Sequence, residues 1–539
     1  MGYYLNNSDA YTMYKNECSK PFFIDKSMLL RELFPLVEQG NHYICITRPR
    51  RFGKTVMANM IGSFFSSGCS SEDIFDHLRI SGIPEYQKHR NRHNVIYIDF
   101  SKCDDACDSY HAYISNIKEL LREDLHEAWP DISFRKNGTV SEDLKRINQK
   151  TGEVFLFVLD EWDAVFHMSF VNAAEQKKYL LFLKDLLKDQ AYVSFAYMTG
   201  ILPITKYSSG SELNMFLEYS MATQERFSEY FGFTEKEVDQ LFERYLKICP
   251  EPEITRDGLR EWYDGYHTRS GEQIYNPRSV VAALSNNSLM GYWTSSGPYD
   301  EIYYYVRRNV SDVRDELAVM IGGEAVPARI QEYAAASMDL QTKDEIFSAM
   351  VVYGFLSYEN GRVKIPNREL MNQFADMIQK ENSLGYLNRL SRESDRMLKA
   401  TLSGDTETMS EILAYVHDTE TPLLSYNHEA ELSAIVTLAY LSARDQYDIQ
   451  REDKSGIGYV DFIFYPKINK NDPGIILELK VDHTPEEAVQ QIKDHKYALR
   501  FAGKLGEEPQ YTGKVFAVGI GYDRKEKVHR CKVECLSLL

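Results

Sequence analysis

Four short apolar runs in the first 200 residues constrain the fold more than any other feature. They are HYICIT (42–47), NVIYIDFS (94–101), VFLFVLDE (154–161) and VSFAYMTG (193–200). Each is β-branched or aromatic and each ends in a polar or glycine-containing turn. Helical periodicity fills the gaps, as in KKYLLFLKDLLKD (177–189). A strand apolar on both sides must be covered on both sides, so the alternation predicts a parallel sheet between helices. After about residue 205 the strand pattern fades. FTEKEVDQLFERYLKI (233–248) predicts an amphipathic helix with Thr234 and Glu237 spaced as a capping box. Residues 300–420 read as mainly helical, interrupted by a hairpin at VVYGFLSYENGRVKIP (351–366). A different rhythm begins near 421: a helix HEAELSAIVTLAYLSA, strands YDIQRE, YVDFIFYP and IILELK, a helix at 485–500, and a strand KVFAVGIGY. Thr484, Pro485 and Glu487 supply an N-cap, a first-turn proline and an N3 acid for the second of those helices. This is a separate α/β module.

The first apolar run leads into TRPRRFGKT (47–55). A phosphate-binding loop needs a strand, converging backbone N–H groups, a lysine for the terminal phosphates and a hydroxyl for magnesium. Gly53, Lys54 and Thr55 meet the last three needs. In the full GxxxxGK[ST] pattern a glycine would stand at position 48, where this chain has Arg48, and Pro49 removes a donor. A basic turn capping a helix reads the same way. The third run shifts the balance, because six apolar residues end in Asp160 and Glu161. A strand-terminal aspartate suits a magnesium shell and the next glutamate can polarise an attacking water. Thr199 closes the fourth run, where a hydroxyl could sense the terminal phosphate, and Arg278 in YNPRS could reach a phosphate from the helical region. With a glycine and a donor missing, the cradle is expected to draw phosphate-neutralising charge from Arg48, Arg50 or Arg51.

In the C-terminal module GYVDFIFYP carries Asp461, and GIILELK carries Glu478 and Lys480 two residues apart. Residues two apart share a strand face, so Glu478 and Lys480 project together with Ile476. The short excursion PKINKNDPG makes the two strands neighbours and can bring Asp461 beside them. Charged groups in apolar strands are costly unless paired or metal-bound. Asp461 and Glu478 offer hard oxygens for magnesium, and Lys480 can orient or deprotonate a water. An ion pair on a half-exposed sheet fits the spacing equally well. Glu429, Gln491 and Tyr497 are auxiliary candidates on the flanking helices.

A chain of 539 residues has room for two to four domains. No apolar run is long enough to span a bilayer and the first 25 residues lack a secretory pattern, so a cytoplasmic protein is expected. The eight scattered cysteines form no zinc-type CxxC pair and read as reduced thiols. The net charge of −18 argues against non-specific coating of nucleic acid, while leaving room for a local basic groove.

Taken in order, FFIDKSMLLRELF, ITRPRRFGKTVMANMI, FVLDEWDAVF, EWYDGY, YNPRSV and YWTSSG resemble the bacterial AAA-ATPase-like family, whose members typically carry a C-terminal PD-(D/E)XK nuclease-superfamily domain. The resemblance covers roughly 5–300 as an ATPase part and 415–520 as a nuclease-like part; with the patterns above, the expected domains are an AAA-like phosphate-loop ATPase core over 1–205, a helical lid over 206–300, a mainly helical linker over 301–420 and a restriction-endonuclease-like α/β domain over 421–539. It implies ATP and magnesium at Lys54 and Thr55 (Walker A) with Asp160 and Glu161 (Walker B). Asp25 and Lys26, in the family's DKS segment, are implied near the nucleotide. In the nuclease-like module it implies metal-binding Asp461 and Glu478, catalytic Lys480, and Glu429 and Gln491 as auxiliaries. Val460 stands where the superfamily's named proline would fall. The expected function is ATP-controlled, metal-dependent cleavage of nucleic acid, DNA before RNA, with a homo-oligomer as a further expectation. A non-catalytic ATP-driven switch using a degenerate nuclease fold is the alternative; a phosphotransferase has no acceptor-site pattern behind it.

Overall fold

The computed structural model describes residues 2–105, 107–204, 212–221, 226–293, 310–330, 342–420, 429–455, 458–467, 471–502 and 513–536. The chain divides into two compact units. The first comprises Met1–Tyr299 with Ala328–Glu369, the second Asp300–Pro327 with Leu370–Leu539.

The first unit holds β1 (His42–Thr47), helix α1 (Lys54–Phe65), β2 (Asn94–Asp99), β3 (Phe155–Asp160), β4 (Val193–Gly200) and β5 (Leu217–Ser220). All five strands run parallel in the order β2-β3-β4-β1-β5. Strands β3 and β4 are buried along their whole length, which is why they read as unbroken apolar runs. Leu156 and Val158 pack with Leu33, Phe34, Met57, Ile61 and Phe64 on one face. On the other face Phe155 meets Trp129, and Phe100 at the end of β2 meets Tyr179. The order puts β4 between β1 and β3, so the ends of all three converge on the turn after β1.

The fifth strand lies beyond residue 205, where no strand was expected. LEYS is an edge strand whose first half faces outward, so it carries no apolar run to detect. Helix α2 (Glu235–Ile248) starts with the expected cap: Glu237 Oε2 accepts the Thr234 N–H at 2.9 Å. Helix α3 (Pro277–Asn286) begins at YNPRS because the Asn276 side chain accepts the N–H groups of Arg278 and Ser279, and Pro277 takes the first helical position. The hairpin is shorter than 351–366. Residues 357–359 pair with 362–364, while Val351–Tyr353 ends a helix that starts at Lys343.

The second unit holds α4 (Glu429–Ala439), β6 (Tyr447–Ser455), β7 (Gly458–Pro466), β8 (Gly474–Val481), α5 (Pro485–Asp494), β9 (Val515–Asp523) and β10 (Val528–Leu536). They form a sheet ordered β6-β7-β8-β9-β10, antiparallel except for the parallel pair β8–β9. A parallel pair needs a crossover, and α5 supplies it. It stops at Asp494, short of the expected 500, and a 3-10 turn at Tyr497–Ala502 follows. The strand β10 was not anticipated, because VHRCKVECL is mostly half-exposed and its polar positions hide the pattern. Among the described residues no helix is long and apolar enough to cross a membrane.

Candidate functional sites

The turn after β1 holds its shape without a glycine at 48. Arg48 is buried, and one of its terminal nitrogens donates to the carbonyls of Thr47 (2.8 Å) and Tyr219 (2.7 Å), which ties β1 to β5. Its guanidinium lies 5.1 Å from the Phe231 ring centre. Arg48 is built into the strand end and is not among the residues that line the neighbouring cavity. Left-handed backbone falls instead at Arg51 (φ 70°) and Gly53 (φ 87°). The turn is braced from outside. Phe52 is buried edge-on against Tyr266 of the EWYDGY motif, the Gly232 N–H donates to the Phe52 carbonyl, and Trp293 Nε1 donates to the Arg50 carbonyl at 3.4 Å. The Lys54 ammonium is buried and donates to the carbonyls of Arg48 and Pro49, each at 3.0 Å.

Across the turn stand the acids. Asp99 and Asp160 are register partners on adjacent parallel strands, so their side chains leave the sheet on the same side. Asp160 is fully buried. One carboxyl oxygen accepts from the Thr199 hydroxyl, while Oδ2 has no hydrogen-bond partner. Burial, with help from Asp99 and Glu161, pushes the Asp160 carboxyl up to about 6, against the pull of the Thr199 and Thr55 hydroxyls. The Thr199 hydroxyl also accepts the Glu161 N–H at 3.3 Å. Glu161 has φ 51°, a strained conformation for a non-glycine residue. Burial raises its carboxyl's pKa, and the Lys54 charge opposes that. Asp163 went unremarked in the sequence although it completes LDEWD; its Oδ2 accepts the N–H groups of Ile201 (2.8 Å) and Leu202 (2.7 Å) and locks the end of β4.

Beside the turn lies a cavity of about 290 Å³, lined by Arg51, Gly53, Lys54, Thr55, Glu161 and Arg278. Phe22, Ile24, Phe233 and Val281 form its apolar end, and Lys26 also lines it. The Lys26 ammonium donates to Glu237 Oε2 at 2.7 Å, joining the DKS segment to the first turn of α2. Asp25 serves the fold, accepting the N–H groups of Ser27 and Arg79. The N-termini of α1 and α3 border the cavity, adding two partial positive charges to the five cationic side chains Lys20, Lys26, Arg51, Lys54 and Arg278. Such a site fits a polyanion with an apolar ring. The orphaned Asp160 oxygen and the exposed Thr55 hydroxyl fit a hydrated magnesium ion.

The C-terminal constellation also comes together. Asp461 Oδ2 accepts the Leu479 N–H at 2.7 Å, which draws β7's carboxylate to β8 between Glu478 and Lys480. Glu478 Oε1 accepts from Lys480 Nζ (3.1 Å) and from the Gln491 amide of α5. Glu478 is 3% exposed and its Oε2 has no partner. Burial first, and the Asp461 charge second, push its carboxyl up to about 7, with Lys480 opposing them. The Tyr497 hydroxyl lies near Gln491. Glu429 opens α4, but its side chain lies outside the described residues. Two carboxylates with one orphaned oxygen fit a divalent ion that keeps water or substrate oxygens for the rest of its coordination. Among the described residues no cluster of three or more His, Cys, Asp or Glu side chains could cage a metal.

Gly519 makes this arrangement possible. A Cβ there would stand 2.1 Å from the Pro485 carbonyl oxygen, so only glycine lets α5 lie low enough on β9 for Gln491 to reach Glu478. Gly519→Ala is expected to cost about 1–3 kcal/mol and to weaken divalent-metal binding. Thermal unfolding and metal titration check both, and a variant with unchanged melting and affinity would show that α5 tolerates the shift.

Residues 14–209 match the model of the predicted AAA-ATPase family, and residues 428–530 match that of the PD-(D/E)XK nuclease superfamily. The chain joins an AAA-ATPase-like domain to a PD-(D/E)XK nuclease-superfamily domain. No curated protein matches the sequence. Similar solved structures include the Walker-type ATPase PABY2304 of Pyrococcus abyssi, 10% identical over 65% of this chain and 94% of that chain, with a TM-score of 0.36. The Aeropyrum pernix ORC2 protein in ADPNP–ADP complexes is 11% identical over 66% of this chain and 94% of its own, with a TM-score of 0.34. The Aeropyrum pernix ORC1 protein in complex with DNA is 10% identical over 65% and 91%, with a TM-score of 0.27. The first match contains the β1 turn, and the second contains β7 with Asp461 and β8 with Glu478 and Lys480.

Proposed function

We propose that the AAA-ATPase-like domain binds and hydrolyses magnesium-ATP, and that the nucleotide state controls metal-dependent cleavage of nucleic acid, DNA before RNA, by the nuclease-superfamily domain. The observation that carries the first half is the convergence of Lys26, Arg51, Lys54, Arg278 and two helix N-termini on a cavity whose far side is Glu161. The second half rests on the buried carboxylate of Glu478, one oxygen unpartnered, beside Asp461 and Lys480.

In the nucleotide site Lys54 exchanges its two loop carbonyls for phosphate oxygens. Thr199 fixes the Glu161 backbone, so the carboxylate stays aimed where it can accept a proton from an attacking water. Asp160 and Thr55 would hold magnesium, which neutralises phosphate charge when bound. In the nuclease site Asp461 and Glu478 would hold the divalent ion, whose contribution is to polarise a phosphodiester. There Lys480 orients the water that attacks, and Gln491 keeps Glu478 in place.

The direct test follows cleavage of a labelled panel of single- and double-stranded DNA and RNA in magnesium or manganese, with and without ATP. A change of about tenfold or more on adding ATP is expected, matching a coupling of about 1.4 kcal/mol. Equal rates with and without nucleotide would sink the proposed control. A second reading, an ATP-driven switch whose nuclease fold binds without cutting, draws support from the net charge of −18. It predicts ATP-dependent binding with no cleavage in any divalent metal.

A further inference from the structure

We infer that one copy of the chain completes its own ATPase site, with Arg51 as an intramolecular arginine finger for the terminal phosphates; the inference rests on the ATP reading above. Three unfavourable arrangements meet in the cavity. Arg278 occupies the second position of α3, where the helix N-terminus already carries partial positive charge and a cation is disfavoured. Its guanidinium is exposed and makes no hydrogen bond or ion pair among the described residues. Arg51 lines the same cavity and is close enough for the two like charges to oppose each other: burial, then Arg278, then Arg50 lower its pKa. Arg51 also holds φ 70°, which an L side chain rarely adopts. Like charges crowded together, one against a helix dipole and one on strained backbone, are the arrangement of a site built for an anion.

The chemistry needs that charge at a definite moment. A water oxygen bonds to the γ-phosphorus, the bond from that phosphorus to the bridging oxygen breaks, and the products are ADP and inorganic phosphate. The water proton passes to Glu161. Negative charge grows on the bridging and equatorial oxygens, where guanidinium N–H groups stabilise it most. Phosphate-loop NTPases receive that guanidinium either from the same chain or from a second protein. Here Arg51, Arg278, Lys54 and Glu161 face one cavity within one compact unit. A third arginine, Arg50, is felt electrostatically at both Glu161 and Lys54. No second copy is needed to surround the phosphate.

The test compares wild type, Arg51→Ala and Arg51→Gly in the full chain. Glycine removes the guanidinium and accepts the left-handed backbone, so that variant keeps the loop. Loss of kcat by about 100-fold or more is expected for both variants. Affinity for ADP should change by less than about threefold, as fits a group acting on the terminal phosphate. Wild-type turnover per molecule should stay constant from about 0.1 to 10 μM protein, since mass action leaves a one-chain site unaffected. Mixing Arg51→Gly with Lys54→Ala should restore nothing, because neither chain owns a complete site. Unchanged kcat in Arg51→Gly, specific activity that rises with concentration, or activity regained on mixing would each overturn the inference while leaving the ATP reading intact. Wild type that binds no ATP overturns both together.

Discussion

Replacing Lys54 with alanine is expected to lower ATP turnover by about a thousandfold or more. The ammonium is buried against the carbonyls of Arg48 and Pro49, with Glu161, Asp163 and Asp160 near enough to favour its charged form against burial. A buried cation held by two neutral carbonyls gains when a polyphosphate replaces them, which is differential binding of the kind that drives catalysis. The alanine variant also leaves both carbonyls without a donor, at a cost of about 1–3 kcal/mol. A modest fall in melting temperature should therefore accompany the loss of turnover. Phosphate release measured beside thermal melting separates the two effects. Turnover that survives in a folded Lys54→Ala protein would remove the nucleotide site from the β1 turn.

Glu478→Gln is expected to abolish metal-dependent cleavage and to stabilise the metal-free protein at alkaline pH. The sign follows from the shift. The folded carboxyl titrates at about 7 against an ordinary value of 4.5, so between those limits the folded state holds a proton that the unfolded state has lost. That contribution to stability is fully present below about 4.5 and is lost as pH rises through about 7. Above pH 7 the buried charge is a liability of about 3 kcal/mol, and an amide removes it. A divalent ion at the site would offset the same liability, so metal affinity should fall about tenfold per pH unit below 7 as the proton competes. Denaturation at pH 5 and pH 8, with and without metal, reads all of this. A Glu478→Gln protein less stable than wild type at pH 8 would mean that the carboxylate serves the fold rather than a metal.

The parallel sheet, the cap of α2, the proline start of α5 and the approach of Asp461 to Glu478 were legible because each follows from local periodicity or from strand neighbours joined by a short excursion. The strands β5 and β10 were not, since half-exposed edges lose the apolar run. Arg48 shows a second limit. Its number places it where a loop glycine is expected, but its partner is the carbonyl of Tyr219, 171 residues away. The contact of Lys26 with Glu237 spans 211 residues and the brace from Trp293 to the Arg50 carbonyl spans 243. Motifs such as EWYDGY and YWTSSG were visible as patterns, yet the bracing of the β1 turn by Tyr266 and Trp293 appears only in three dimensions. Asp99 could have been found by the rule that singled out Asp160, because its apolar run also ends in an acid.

We propose that this chain carries an ATP site and a distinct metal-dependent nuclease site, the first controlling the second. One assay addresses it most directly: ATP turnover and nucleic-acid cleavage measured together on wild type, Lys54→Ala and Glu478→Ala. Lys54→Ala should lose turnover and the response of cleavage to ATP, whereas Glu478→Ala should lose cleavage and keep turnover. Cleavage that persists in Glu478→Ala, or that responds to ATP in Lys54→Ala as it does in wild type, would contradict the account.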